Sequence, residues 1–513
     1  MSRQNNDDDN PDDVCDAVSQ GDFGRIQRIL NQHTEWVNAQ DPNNHGNAAL
    51  HMAIYFYQGR KEIVQFLVEQ GLANVNLAND LGDTPLHAAC KYDNDDDTWG
   101  HLEIVEFLVE QAHANVNIQG ENGDTPLHRA IFAGNLGIAK FLVGHDADVN
   151  LTNSNEESPL HVACKNGLLE IVKLLVQQGS ANVNLENNVG ETALHNAIIR
   201  GSLEIVKFLV TEGRADANAR DEFGDPPIML ATNMHDLGIV KFLVENGHAD
   251  TNVLRFNGNT PLHHAIENVS LAIVKFLMEE GHADVSIKNR EGDTPLHIAS
   301  LADDDGEEAF LEIVELLVEK NHADVNVTNE DRDTPLHKAS QNGRLDIIKF
   351  LVEQGGADVH VSNNDGNTPL HEASHEGHLA IVKFLVDECD AGPDLPNCKG
   401  NTPLHRASAH GHFNIVKFLL GGDHADVNAT SNRGNTALHN ATRYDEFDIV
   451  KFLVVEGGAK VNLPNNDGNT PLALASGLGQ LDNVRFLVEH ADANVHVANK
   501  DRNIPLVLAS ENG

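Results

Sequence analysis

Apolar residues recur along this chain with helical spacing nested inside a longer period. In HLAIVKFLV, residues Ile381, Val382, Phe384 and Leu385 fall on one side of a helix. The stretch before it, TPLHEASHE, places Thr368 at an N-cap and Pro369 at the first helical position, and so predicts a short helix that stops at Gly377. Glycine, Ala-Asp-Val-Asn and an Asn/Asp-Gly turn follow the second helix in most copies and predict a hairpin-like loop. The same pattern returns 34 residues on either side, as NEDRDTPLHKASQNGRLDIIKFLV from Asn329 and NCKGNTPLHRASAHGHFNIVKFLL from Asn397.

A period of this length defines a solenoid in which each unit buries its apolar face only against its neighbours. The TPLH slot opens fourteen times, from Ala48 to Ile504, at intervals of 34 except for single intervals of 36, 41, 33 and 40. Residues 1–12 read as a disordered acidic tail, 13–45 as a capping helix pair and 46–513 as the array. The last unit is incomplete, because the chain stops at Gly513 after its first helix. The slot is irregular at DPPIML, where Pro226 removes the Thr cap and Met229 the histidine; Ala473 and Val507 replace histidine in the last two slots.

These residues resemble the ankyrin repeat. The core G-x-T-P-L-H-x-A, the following G-H-x-x-I-V and the closing A-D-V-N match that family over roughly residues 13 to 513. The resemblance implies an all-α repeat fold, an ankyrin-type solenoid of helix-turn-helix units joined by β-hairpin-like loops, right-stacked and curved. It implies a protein-binding scaffold that works through its concave helix and hairpin surface. It also implies that the TPLH histidine bonds the Thr hydroxyl and a loop.

One stretch raises a competing chemistry. His371-Glu372-Ala373-Ser374-His375 fits H-E-x-x-H, the pattern of a zinc peptidase. In register, however, His371 is the slot histidine, while Glu372 and His375 fall on variable, surface positions. The helix ends two residues after His375 and no third ligand is evident. An adventitious site from His375, Glu376, His378 and His410 is the weaker metal reading, and a solvated helix face the stronger. No G-x-S-x-G elbow, Walker loop or kinase set occurs, and the acidic DDDGEE from Asp303 has Leu301 where a calcium loop needs Asp. The expectation is no enzyme, no metal and no cofactor. The runners-up are a part of a larger enzyme or ubiquitin-ligase adaptor, and a structural spacer.

In a repeat array the framework is periodic and the binding residues are aperiodic. The variable ends of the first helices, together with large aromatics, make Tyr55, Phe56, Tyr92, Trp99, Phe132, Arg443 and Tyr444 the candidate partner-binding residues. Acidic insertions at 93–99 and within 302–310 lie between the two helices of their units. The resemblance adds Asn150, with Leu142 eight residues earlier, as a candidate for asparaginyl hydroxylation.

The net charge of −43 disfavours nucleic acid and anionic membranes and suits a basic protein partner. The five cysteines are scattered with no C-x-x-C pair, which points to a reducing, cytoplasmic setting. There is no signal-like N-terminus and no apolar run of about 18 residues, so no membrane insertion is expected, and a monomer is.

Overall fold

The computed structural model describes residues 10–55, 61–91, 100–301, 307–422 and 424–512. Residues 1–9, Phe56, Tyr57, Tyr92, Trp99, the 93–99 insertion and residues 302–306 of the second insertion lie outside them. The chain divides into two compact units, 1–250 and 251–513.

The first unit opens with helices Asp12–Ser19 and Phe23–Gln32, a 3-10 turn Thr34–Asn38 and a minimal antiparallel hairpin, Gln40–Asp41 against Asn47–Ala48. Helix pairs follow, such as Pro126–Phe132 with Leu136–Val143 and Pro159–Lys165 with Leu169–Gln177. The second unit repeats the plan, for example Pro369–Glu376 with Leu379–Asp387 and Pro403–Ala409 with Phe413–Gly421, and its last helix is Pro505–Asn512. Within each unit first helices pack on first helices and second on second.

The apolar pattern explains this stacking. Leu370 and Ala373 of a first helix and Ile381, Val382, Phe384 and Leu385 of its second helix are all buried. Each large aliphatic side chain so enclosed contributes about 1.5–3 kcal/mol. Neither helix is long enough to be stable alone, so burial against the next copy carries the fold. The irregular helix Pro227–Asn233 still forms, because Pro227 is preset for the first helical position. Pro226 gives it no side-chain cap, and Met229 is fully buried in the histidine position.

Close approach between copies fixes one glycine. Gly377 ends its helix at φ +93, and a Cβ there would lie 2.6 Å from His412 ring atoms. The His412 ring donates to the His375 carbonyl at 2.7 Å and so ties one unit to the one before it. Gly377→Ala is expected to cost about 2 kcal/mol, from the left-handed φ and the displaced imidazole. A urea titration of the full chain checks this, and an unchanged midpoint would remove the steric account.

Candidate functional site

The histidine of each TPLH slot is committed inside the frame. The Thr368 N–H donates to His371 Nδ1 at 3.2 Å, the Thr368 hydroxyl lies 2.9 Å from the same nitrogen, and Nε2–H donates to the Asn401 carbonyl at 3.0 Å. The same three contacts recur at His87, His128, His195, His263 and His439. Burial dominates their titration: it lowers His371, His128, His263 and His439 to about 4 against weaker opposing hydrogen bonds. The ring is therefore neutral, with its proton on Nε2.

This decides the H-E-x-x-H question. Both nitrogens of His371 are occupied, so it has no lone pair for zinc. Glu372, expected at the surface, is buried instead. Its carboxylate accepts from Asn367 Nδ2 at 2.8 Å and Asn363 Nδ2 at 3.3 Å, which compensates its removal from water. The weaker metal set is also split. The rings of His375 and His410 meet edge to face with centroids 3.9 Å apart, whereas His378 Nε2 is bound to the Gln341 carbonyl at 3.0 Å. Among the described residues no group of three or more His, Cys, Asp or Glu could hold a metal ion.

The partner-binding candidates are placed unevenly. Tyr55 closes helix Ala49–Tyr55 and is half-buried; Phe132 closes helix Pro126–Phe132 and is exposed. Arg443 and Tyr444 are exposed, and they alone of the candidates line a described groove. That groove, of about 520 Å³, lies between first-helix ends and hairpin tips. Its walls show that the hairpin tip and the first-helix end share one face, since Lys399 and Arg433 of the tips stand with Arg406, His410, Arg443 and Tyr444 of the helices. Sequence reasoning named the hairpin surface but no residue on the tips. Phe223 occupies one and is 59% exposed; its signal was a large aromatic where most other units carry a polar residue.

Asn150 is exposed, and its side-chain oxygen accepts from the Asn182 N–H at 2.7 Å. Equivalent bonds run from Asn117 to the Asp148 N–H, from Asn184 to the Asp216 N–H and from Asn428 to the Lys460 N–H. The closing asparagine thus joins successive hairpins.

The described cysteines are all free; Cys15, Cys90 and Cys164 are buried, and burial pushes the Cys90 and Cys164 thiols up. Among the described residues no helix is long and apolar enough to cross a membrane.

Stacked helix pairs whose framework polar groups are bonded internally, and whose variable side chains face outward, define a helical repeat protein. The family described as "Ankyrin repeats (3 copies)" matches overlapping segments over residues 14–221 and 305–501, and "Ankyrin repeats (many copies)" matches 243–299. The chain belongs to the ankyrin-repeat family. Among solved structures it is similar to the ankyrin repeat domain of Bcl-3, described as a unique member of the IkappaB protein family. That match has 28% identity and a TM-score of 0.40, and covers 46% of this chain and 98% of the other.

Proposed function

We propose that this chain is a protein-binding scaffold with no reaction of its own. Ankyrin repeats are in general protein-interaction modules, and the observation that carries the reading here is a set of exposed, aperiodic apolar side chains on the first-helix ends. In the first unit Phe132 is 51% and Ile199 45% exposed at the same place in their repeats, and Met234, one position further along its own, is 52% exposed. Side chains of this kind leave water only when a partner covers them, and they carry most of the energy when one does. Tyr55, at the end of its first helix, extends this candidate surface, and Phe56, Tyr92 and Trp99 are candidates on the sequence alone.

The saturated slot histidines support a framework role for His371 over a peptidase. The free buried thiols support a reducing, cytoplasmic setting. The chain acts as a monomer without a cofactor, and its net charge of −43 speeds encounter with a basic partner.

The test is a pull-down from source-cell lysate with quantitative mass spectrometry, comparing wild type with Phe132→Ala/Ile199→Ala/Met234→Ala. These positions are exposed, so the variant is expected to fold as wild type. A partner held by wild type should be depleted at least about tenfold by the variant, since a truncated hot spot costs at least about 1–2 kcal/mol. Absence of any specific partner for wild type would favour the spacer.

A further inference from the structure

One groove reverses the sign of this acidic protein. Lys399, Arg406, Arg433 and Arg443 line it, with no aspartate or glutamate in its walls. Lys399, Arg433 and Arg443 are exposed. Among the described residues none of the four forms an ion pair or a side-chain hydrogen bond, and Arg406 Nε is enclosed without a partner. His410 and Tyr444 stack beside them, with ring centroids 6.3 Å apart and 21° between planes.

The corresponding position in other units shows what Arg406 lacks. Arg129 stands at the same place in its repeat and is held by Asp83 at 3.4 Å, Glu121 at 3.2 Å and Asp124 at 3.7 Å. Lys338, again at that place, pairs with Asp333 at 3.1 Å. The aspartate positions that serve Arg129 are Asn367 and Asn401 around Arg406. The array therefore supplies an internal carboxylate where it uses this cation as framework, and withholds it here. The neighbouring groove on the N-terminal side carries Asp331, Asp365 and Glu376, so the surface changes sign at Arg406, which lines both. Burial, and after it the Arg406 charge, lower His375; burial, His375 and Arg406 lower His410. Both imidazoles stay neutral at pH 7 and do not compete for an anion.

We propose that this groove binds an extended acidic segment of a partner protein, with Arg406 and Arg443 pairing its carboxylates from the helix side, Lys399 and Arg433 from the hairpin tips, and the Tyr444 and His410 rings covering its apolar side. The proposal rests on the scaffold reading above and names the partner chemistry of one of its surfaces. A planar guanidinium with free donors is built for a carboxylate. At physiological salt, charges more than about 8 Å away are largely screened, so the acidic surface beyond the adjoining groove weakens these four cations little. Nucleic acid, the other polyanion, has a long uniform charge that would run onto the adjoining acidic groove.

The experiment is fluorescence anisotropy on the full chain at physiological salt with three labelled probes: a ten-residue peptide carrying five glutamates, the same peptide with lysines, and a ten-nucleotide single-stranded DNA. The variants are Arg406→Glu/Arg443→Glu and, as the pair least able to disturb folding, Lys399→Glu/Arg433→Glu on the exposed tips. The glutamate peptide should bind wild type at least about tenfold tighter than the lysine peptide, and each variant should weaken it at least about tenfold. Equal binding of both peptides, no binding of the glutamate peptide, tighter binding of the DNA, or undiminished binding by the tip variant would each overturn the proposal. The lysate experiment separates the two readings. A specific lysate partner found while the glutamate peptide fails to bind leaves the scaffold standing and removes the groove, whereas no partner at all removes the scaffold.

Discussion

Lowering the pH from 7.5 to 5.5 is expected to move the urea unfolding midpoint markedly downward. His51, His128, His263, His371 and His439 are held at about 4 in the folded chain, chiefly by burial, against about 6.5 when unfolded. Between those values the unfolded chain binds more protons than the folded one, so stability falls as pH falls. The contribution is complete above about pH 6.5 and is lost progressively down to about pH 4. At pH 5.5 each of these five residues costs about 1.4 kcal/mol. The remaining slot histidines, such as His195, His337 and His405, are lowered for the same reason and add to the loss.

Two effects oppose it. Asp124 is raised by burial and so favours the folded chain in acid, and protonation of surface carboxylates relieves self-repulsion. The first is a single group, and the second is damped by about 0.3 M salt. Circular dichroism at 222 nm with urea at each pH measures the balance above the pI of about 4.8. A midpoint that stays level or rises at pH 5.5 would mean that the buried histidines do not govern acid stability.

The second large effect is expected from His371→Ala. It leaves the Thr368 N–H and the Asn401 carbonyl without their partner and opens a cavity, at a cost of about 3–4 kcal/mol. His375→Ala, at a half-buried ring whose Nδ1 has no partner, should cost less than about 1 kcal/mol. A zinc site would need both residues, and each substitution would then remove bound metal equally. Thermal melts together with metal content after dialysis separate the readings. The pH dependence gives an independent check, because His371→Ala should shrink the pH 7.5 to 5.5 difference by about 1.4 kcal/mol. An equal destabilisation by His371→Ala and His375→Ala would contradict the framework assignment.

Much of the fold was legible in the residues, and less of the site was. The H-E-x-x-H pattern dissolved once His371 was seen to recur as His337 and His405, and its bonds match that reading. Arg443 and Tyr444 were singled out by breaking the repeat, and they line the groove. Glu372 also broke the repeat and was placed at the surface, yet it is buried under Asn363 and Asn367. Variability along a repeat marks freedom from the framework, which is not the same as exposure. Lys399 and Arg433 were overlooked because a charged hairpin tip looks ordinary until the helix end beside it is known.

By itself the sequence determined the unit: its period, its two helices, the Thr-Pro start, the glycine stop and the apolar stripe that forces copies together. These are set by residues one to four apart on a single segment, where spacing alone dictates which side chains share a face. The tertiary structure decided everything that spans a repeat. It set the His412 bond to the His375 carbonyl, the Asn150 bond to the next hairpin, and the convergence of Lys399, Arg406, Arg433 and Arg443 on one groove. Across neighbouring copies those contacts join residues about thirty or more positions apart, and only the distance and rotation between stacked copies fix which of them meet.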